Sequence, residues 1–256
     1  MIHSTAIVSK KAKIGNNVEI GPFTIVEDEV IIEDNCKIGA HVTLASGTIL
    51  HKDVQIYNGA VLGTVPQDLK FSGEKTTLEI GERTVIREYA FLNRGTKDKF
   101  KTVIGKDCFL MAFVHVAHDC FVGDNCIIGN GTQIAGHISI DHHTILSGHV
   151  LVHQFSKIGS YCMVEGGAKV KRDIPHYCMA VGEPLKFSGL NKIGLQRNGF
   201  STEDIQDISD AYRIMYRSGL TTEKALEQIE NNYVDNNVVL NISEFTRNSK
   251  RGLIRQ

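Results

Sequence analysis

The stretch KIGNNVEIGPFTIVEDEVIIEDNCKIGAHVTL, residues 13–44, repeats one pattern every six residues. Its aliphatic positions are Ile14, Ile20, Val26, Ile32, Ile38 and Leu44. From Ile2 to Val170 every sixth residue is Ile, Leu or Val, with exceptions only at Asp68, Glu74 and Asp98. Neither the period of a helix nor the alternation of a long strand fits this spacing. A short strand that ends at a corner does fit, and three sides of six residues make a coil of 18 residues.

A second position of the repeat, four residues after each aliphatic, holds small or β-branched side chains. Examples are Ala6, Val18, Thr24, Cys36, Cys120 and Cys162. Five of the six cysteines lie at this position, and no CxxC motif occurs. We therefore expect reduced cysteines in the wall of the coil, rather than disulfides or a thiolate metal site.

The repeat predicts a parallel β-helix over residues 1–183, whose aliphatic ladders stack inside the coil. The exceptions to the pattern predict loops near residues 67–78 and 97–103. Residues 184–256 are predicted to form a C-terminal α-helical domain, with helices over 203–217, from 222 to about 231 and near 240–246. Ser201 and Asp204 have the spacing of a capping box for the first of these helices. We expect this tail to cap the β-helix or to pack a trimer, and a separate binding domain is the alternative.

The charges of the chain nearly cancel, with 28 basic and 29 acidic residues and a net charge of −1. This balance disfavours nucleic acid as a partner. No run of 18 or more apolar residues occurs, and no apolar segment follows the basic residues near the N-terminus. We therefore expect a cytoplasmic protein without a membrane span.

Histidines are concentrated in one part of the chain, because seven of the 11 lie between residues 115 and 153. With an 18-residue coil, His118 stacks on Gly136, and Asp119 stacks on His137. A histidine beside a carboxylate is the usual arrangement of a general base, and a glycine can present its N–H to an oxyanion. The pattern indicates a candidate active site, and the alternative is a set of solvated polar corners.

The segments around these residues resemble a known family. HVAHDC (115–120), AGH (135–137), VHQF (152–155) and QDLK (67–70) occur in the order and at the spacing of UDP-N-acetylglucosamine O-acyltransferases of lipid A biosynthesis. The resemblance extends to the closing RGLIR (251–255). It implies a left-handed parallel β-helix and a cytoplasmic homotrimer with active sites between subunits.

The resemblance also implies a reaction. An (R)-3-hydroxyacyl chain would move from acyl carrier protein to the 3-position of UDP-N-acetylglucosamine, the first step of lipid A biosynthesis, by direct attack and without a metal or organic cofactor. His118 would be the general base, Asp119 would orient it, and the amide of Gly136 would stabilise the oxyanion.

Further residues receive implied roles. Substrate contacts are implied for Gln67, Asp68, Lys70, His115, His137, His153, Gln154, Asn191 and Arg197, and an acyl-chain pocket is implied at Met163 and Gly166. Ile193 and Asn198 depart from the family pattern, since many members carry an acid and a second arginine there, which weakens the case for a tight diphosphate clamp. Candidates to meet the acidic carrier protein are Lys169, Lys171, Arg172, Arg247, Lys250 and Arg251.

Three other functions are compatible with the repeat. A γ-type carbonic anhydrase would use the HxxxxH pair His137 and His142, but its third ligand position holds Lys101, so a zinc site does not close. A coenzyme A-dependent sugar or serine acetyltransferase shares the repeat, although serine acetyltransferases usually place helices before it. A noncatalytic scaffold is disfavoured by the stacked His and Asp residues.

Overall fold

The computed structural model describes residues 1–256, which form a three-sided parallel β-helix followed by four helices. The strands are β1 (Ile7–Val8), β2 (Lys13–Ile14), β3 (Glu19–Ile20), β4 (Ile25–Val26), β5 (Ile31–Ile32), β6 (Lys37–Ile38), β7 (Thr43–Leu44), β8 (Thr48–Leu50), β9 (Gln55–Ile56), β10 (Val61–Thr64), β11 (Thr77–Ile80), β12 (Val85–Ile86), β13 (Phe91–Asn93), β14 (Lys101–Ile104), β15 (Phe109–Leu110), β16 (His115–Val116), β17 (Phe121–Val122), β18 (Ile127–Ile128), β19 (Gln133–Ile134), β20 (Ser139–Ile140), β21 (Ile145–Leu146), β22 (Leu151–Val152), β23 (Lys157–Ile158), β24 (Met163–Val164), β25 (Lys169–Val170), β26 (Cys178–Val181) and β27 (Lys186–Leu190). Consecutive strands up to β25 enter three different sheets, so each strand pairs in parallel with the third strand after it. The predicted fold class, a left-handed parallel β-helix of hexapeptide repeats with C-terminal helices, is confirmed.

Each coil stacks on the next at the predicted interval. Ile127 pairs with Ile145, 18 residues later, and their neighbours Ile128 and Leu146 pair inside the coil. Both inward side chains are fully buried. Burying a side chain of this size stabilises the fold by roughly 1.5–3 kcal/mol. Because every coil repeats the same contact, the aliphatic ladder forms one continuous core.

The small residues at the second position have a hydrogen-bonding role. The hydroxyl of Thr24 donates to the Gly39 carbonyl at 2.7 Å, and the Cys36 thiol donates to the His51 carbonyl at 3.1 Å. These contacts satisfy corner carbonyls that the strands leave free. All six cysteines are buried and unbridged, which confirms the prediction of free cysteines in the wall. Burial raises the pKa of Cys36 to about 11, so this thiol stays protonated.

The corners demand an unusual backbone conformation. Nearly every corner places one residue in the left-handed region, with φ of 55° at Asn17, 59° at Asp119 and 63° at His137. This conformation costs a non-glycine residue about 1–2 kcal/mol. Rings stacked between coils offset part of that cost, as where His137 lies on Phe155 with ring centroids 4.6 Å apart. Asp119 and His137 therefore have their directions set by the corner itself.

Two loops leave the coil at the corner that also carries His118 and Gly136. No strand lies between Thr64 and Thr77 or between Asn93 and Lys101. The observed gaps are thus 65–76 and 94–100, somewhat earlier than the predicted loops near 67–78 and 97–103. The difference arises because β11 and β14 are four residues long and pair along their whole length, which returns the chain to the ladder early.

The C-terminal segment consists of α1 (Lys192–Arg197), α2 (Thr202–Arg217), α3 (Thr222–Asn232) and α4 (Asn237–Arg247). The three predicted helices are present, and the Ser201–Asp204 capping box is confirmed. The short helix α1 was not predicted, because it spans less than two turns and contains Gly194. The division predicted at residues 183/184 falls between β26 and β27, which pair antiparallel, so the tail first extends a sheet of the β-helix. None of the helices is both long and apolar enough to cross a membrane.

His176 lies where the β-helix meets the tail. Its Nδ1 accepts a hydrogen bond from the Ser160 N–H at 2.7 Å, and its ring contacts Phe245 edge-on at 5.0 Å. Burial lowers the pKa of His176 from 6.5 to about 4. The folded protein therefore holds this ring neutral over a range in which the unfolded chain takes up a proton.

We expect the free energy of unfolding to fall as the pH drops from 6.5 to about 4, since only the unfolded state binds a proton at His176 in that window. A shift of this size corresponds to at most roughly 3 kcal/mol. His176→Asn should remove this pH dependence in urea titrations, because an amide can accept the Ser160 hydrogen bond without titrating. The exposed His3→Asn variant is the control, and equal pH dependence in wild type and His176→Asn would contradict the assignment.

Candidate active site

The predicted stacking of His118 on Gly136 is present at one corner of the coil. The N–H of His137 donates to the His118 carbonyl at 3.1 Å, which locks the two corners together. The imidazole lies directly over Gly136, where a Cβ atom would come within 2.7 Å of Cε1 and 2.8 Å of Nε2. Glycine is therefore required here for the ring to occupy this position.

His118 and Asp119 form a buried hydrogen-bonded pair. The Nδ1 of His118 lies 2.8 Å from Asp119 Oδ2, and the two residues are 5% and 0% exposed. Because the carboxylate accepts, Nδ1 carries the proton, and Nε2 is left with a free lone pair. The pair thus has the tautomer of a general base.

The second loop of the β-helix holds the Asp119 carboxylate in place. Thr96 donates to it twice, from its N–H at 3.0 Å and its hydroxyl at 2.7 Å, and the Lys99 N–H adds a contact of 3.2 Å. Burial alone would raise the pKa of Asp119, but the hydrogen bonds from His118, Thr96 and Lys99 outweigh it, and the pKa lies below its usual value. Asp119 is therefore an anion at neutral pH. Sequence reasoning did not assign Thr96 or Lys99, because they lie where the repeat is interrupted.

His137 lies behind the pair rather than on the wall of the cleft. Its ring meets His118 edge-on with centroids 5.0 Å apart, and its Nε2 is 3.9 Å from Asp119 Oδ2. Its Nδ1 lies 3.1 Å from Asp98 Oδ2, at an angle that falls short of a hydrogen bond. The implied role of His137 as a substrate contact is thus not supported by its position within one chain.

His115 lies one strand position before the pair and faces the cleft. Its Nδ1 donates to the Phe91 carbonyl at 2.9 Å, and its ring stacks on Phe91 with centroids 5.1 Å apart. Burial lowers the pKa of His115, so the ring is neutral at pH 7. Its Nε2 can then accept a hydrogen bond from a bound molecule.

A cleft of about 430 Å³ opens in front of these residues. Its polar lining includes Gln67, His115, His118, Gln133, His153, Gln154, Lys169 and Lys171. Leu151, Val152 and Ile134 add apolar surface. The structure therefore brings together, within one chain, five of the residues with implied substrate or base roles besides Gly136. A larger cavity of about 540 Å³ lies around Arg94 but contains no histidine, so we assign the chemistry to the cleft.

The other candidate residues lie away from this cleft. Asp68 and Lys70 are in the first loop, where the Asp68 carboxylate accepts from the Lys70 N–H at 2.9 Å. Met163 is on β24, in a different sheet from the His115 strand, and Gly166 is at the corner that follows. Arg197 ends α1 on the surface. In a single chain these groups do not form one site.

Asn191 has structural partners in this chain. Its side-chain oxygen caps α1 by accepting from the Gly194 N–H at 3.2 Å, and its Nδ2 donates to the Tyr161 carbonyl at 3.0 Å. Asn198, one of the two departures from the family pattern, donates to the Gly194 carbonyl at 2.8 Å. Ile193, the other departure, is 64% exposed and has no polar group to offer a ligand.

The donor atoms of His118, Asp119 and His137 lie within 4.8 Å of one another, so a metal ion must be considered. The Asp119 oxygen nearest to His118 already accepts from that ring and from the Thr96 hydroxyl. This closed hydrogen-bond set is typical of a positioned base rather than of a ligand set waiting for zinc. His142 lies at the next corner and accepts from the Asp124 N–H at 2.9 Å, apart from His137.

The backbone N–H of Gly136 has no acceptor anywhere in the chain, whereas its carbonyl accepts from Phe155. This N–H lies at the edge of the cleft beside the His118 ring. An imidazole with a free Nε2 beside a free amide donor can remove a proton from a nucleophile and stabilise the oxyanion that its attack creates. The arrangement therefore suits acyl transfer.

Comparisons with known proteins agree with this chemistry. Residues 173–254 match the family model described as "Udp N-acetylglucosamine O-acyltransferase; Domain 2", and residues 11–46, 29–64 and 101–136 match bacterial transferase hexapeptide repeats. An acyl-[acyl-carrier-protein]–UDP-N-acetylglucosamine O-acyltransferase of Aliarcobacter butzleri is 42% identical, with 98% of this chain and 97% of that protein covered. One of Herminiimonas arsenicoxydans is 41% identical, with coverage of 100% and 99%.

Solved structures give the same picture. The UDP-N-acetylglucosamine acyltransferase of Bacteroides fragilis superposes with a TM-score of 0.97 at 47% identity, and both chains are covered completely. The Arabidopsis UDP-N-acetylglucosamine acyltransferase, at 31% identity, superposes with a TM-score of 0.82 over the full length of both chains. The similarity thus extends over the β-helix and the helical tail together.

Gly136→Ala tests the packing of the site. The added methyl group would overlap the His118 ring, so we expect a loss of about 1–3 kcal/mol in unfolding free energy. We also expect loss or a shift of the low-field NMR resonance of the proton between His118 and Asp119. Gly148→Ala is the matched control, because its Cβ would meet no atom closer than 3.3 Å. An unchanged resonance in Gly136→Ala would show that the ring does not lie over this glycine.

Proposed function

Since the chain belongs to the UDP-N-acetylglucosamine O-acyltransferase family, we propose that it transfers an (R)-3-hydroxyacyl chain from acyl carrier protein to the 3-position of UDP-N-acetylglucosamine. The full-length relatives named above support the enzyme class, the sugar nucleotide and the carrier-bound acyl donor. The position on the sugar, the hydroxyacyl chain and the place at the start of lipid A biosynthesis are the finer part of the proposal. The cleft supports it with a base and an amide donor side by side.

The proposed reaction is one direct displacement at the thioester carbon. His118 Nε2 takes the proton of the sugar 3-hydroxyl as the oxygen attacks, and Asp119 stabilises the imidazolium that forms. The Gly136 N–H donates to the oxyanion of the tetrahedral intermediate. When the carbon–sulfur bond breaks, the imidazolium returns the proton to the leaving thiolate. Every proton is accounted for without a covalent enzyme intermediate, and the proposal requires no metal or organic cofactor.

One observation carries the mechanism: the free Nε2 of His118 lies beside an amide N–H that has no acceptor in the chain. Buried backbone donors are nearly always satisfied, so an unused N–H at a cleft indicates a position kept for a ligand. The cost of burying the Asp119 charge is met by three donors, and this holds the pair ready before substrate arrives.

We also propose that the active protein is a homotrimer. Asp68, Lys70, Met163, Gly166 and Arg197 lie on other faces of the prism, so a neighbouring copy has to supply them if they contact the same substrate. Met163 is 36% exposed on an apolar outward stripe of its sheet, which suits an acyl chain held between two chains. Asn191 would act by capping α1 and so placing Arg197 toward the nucleotide.

His118→Ala should lower kcat with UDP-N-acetylglucosamine and hydroxyacyl carrier protein by at least about 100-fold, because the general base is lost. Product would be quantified by mass spectrometry, and circular dichroism would check that the variant folds. His41→Ala, at an exposed corner far along the coil, is the control. Turnover of His118→Ala near the wild-type rate would eliminate His118 as the base. Wild-type turnover that survives dialysis against a chelator would exclude a zinc-dependent reaction.

The shared site can be tested by mixing two inactive variants. If Lys70 of one copy serves the His118 of another, mixed trimers of His118→Ala and Lys70→Ala contain some intact sites, and activity should reappear after unfolding and refolding together. Sedimentation should give about 85 kDa, three times the 28.3 kDa chain. A monomer mass, or no activity from the mixture, would contradict a site built between subunits.

A further inference from the structure

A group of cations surrounds a second cavity beside the cleft. We call it the basic bay and define it by Lys169, Lys171, Arg172, Lys186 and Arg255. The cavity is about 530 Å³ and is also lined by Glu183, Leu185 and Ile254. All five cationic side chains are exposed. They come from three separate parts of the sequence, so the fold assembles them.

The C-terminal segment completes the bay. It lies against the last coil through a parallel bridge between Asp173 and Leu253, with the Ile254 N–H donating to the Asp173 carbonyl at 2.9 Å. On its other side Arg255 bridges to Lys186, and its carbonyl accepts from the Phe187 N–H at 2.8 Å. The closing RGLIR motif thus acts as a short strand between β27 and the end of the coil, and places Arg255 beside Arg172.

The positive charge of the bay is largely uncompensated. Lys169 lies 3.6 Å from the Glu183 carboxylate, and both side chains are more than half exposed. The other four cations have no carboxylate within 4.0 Å. Because the whole chain carries a net charge of only −1, this is a local excess rather than a general property of the surface. Such a patch attracts an anionic partner and raises its rate of encounter.

The bay and the cleft are continuous. Lys169 and Lys171 line both cavities. The bay begins at β25, three strand positions from the His115 strand β16 in the same sheet. At about 4.8 Å per strand this is roughly 14 Å. A molecule seated on the bay can therefore reach His118 only through an extended arm that lies along the cleft.

We propose that the basic bay is the docking surface for the acidic carrier protein. This inference rests on the proposed function. Carrier proteins present the acyl thioester on a phosphopantetheine arm, which matches the separation between bay and base. The carboxylates of the carrier and the phosphate of its arm are both anions that the bay suits, and the apolar strip at Leu151 and Val152 faces the arm along the cleft.

The experiment compares two acyl donors with one variant, Arg172→Glu/Lys186→Glu/Arg255→Glu, whose three positions do not line the cleft. With acyl carrier protein as donor we expect kcat/KM to fall at least about tenfold, mainly through KM, because charge reversal slows encounter. With the corresponding acyl-pantetheine, which lacks both protein and phosphate, and for the KM of UDP-N-acetylglucosamine, we expect no change. An acyl-phosphopantetheine donor separates the two anions, since a loss there assigns part of the bay to the phosphate.

Matched controls are Lys10→Glu and Lys52→Glu, exposed lysines on the first coils. As a measurement without mutation, added salt should lower kcat/KM of the wild type for carrier protein but not for acyl-pantetheine. Equal losses with both donors, a raised KM for the sugar nucleotide alone, or no loss with carrier protein would each overturn the docking assignment. Absence of turnover by the wild type with either donor would instead refute the proposed function.

Discussion

The stacking of one 18-residue coil on the next is the constraint on which the rest of the structure depends. Parallel strand pairs repeat at this interval along the three sheets, and the inward aliphatic of each pair is buried against its counterpart. Because the interval is fixed, residues on neighbouring coils meet wherever their sequence separation is 18. His118 and Gly136 meet for this reason, and so do Asp119 and His137. The rigidity of the ladder leaves the position of the candidate base little freedom.

The loops that interrupt this ladder provide what the repeat itself cannot. A coil made only of hexapeptides has a hydrophobic interior and solvated corners, and a carboxylate at such a corner would be exposed. The loop over residues 94–100 covers Asp119 and brings the donors of Thr96 and Lys99 to it. An anion that is buried and fully hydrogen-bonded can orient and charge-stabilise His118 more strongly than a hydrated one. The interruption of the repeat is thus part of the site.

Much of this could be predicted from the sequence, because a strict period carries over into three dimensions. The aliphatic step of six defined the β-helix, the free cysteines and the contact of His118 with Gly136. The contacts of Thr96 and Lys99 could not be foreseen, since residues in a loop have no fixed separation from the corner that they cover. The position of His137 behind the pair was missed for a related reason: the period places its Cα on the corner but does not set the direction of its ring, which stacks on Phe155. The tail followed the same division, with the capped helix at Ser201 predicted and the strand formed by residues 251–255 not.

The central claim is that this site joins an acyl thioester directly to a sugar hydroxyl. The most direct test incubates the protein with UDP-N-acetylglucosamine and a mixture of (R)-3-hydroxyacyl carrier proteins, then determines the product by mass spectrometry and NMR while the protein is examined for bound acyl group after rapid quenching. We predict a single ester at the 3-position of the sugar and no acylated protein at any time. An ester at another position, or an acyl-enzyme that forms before the product, would contradict the account.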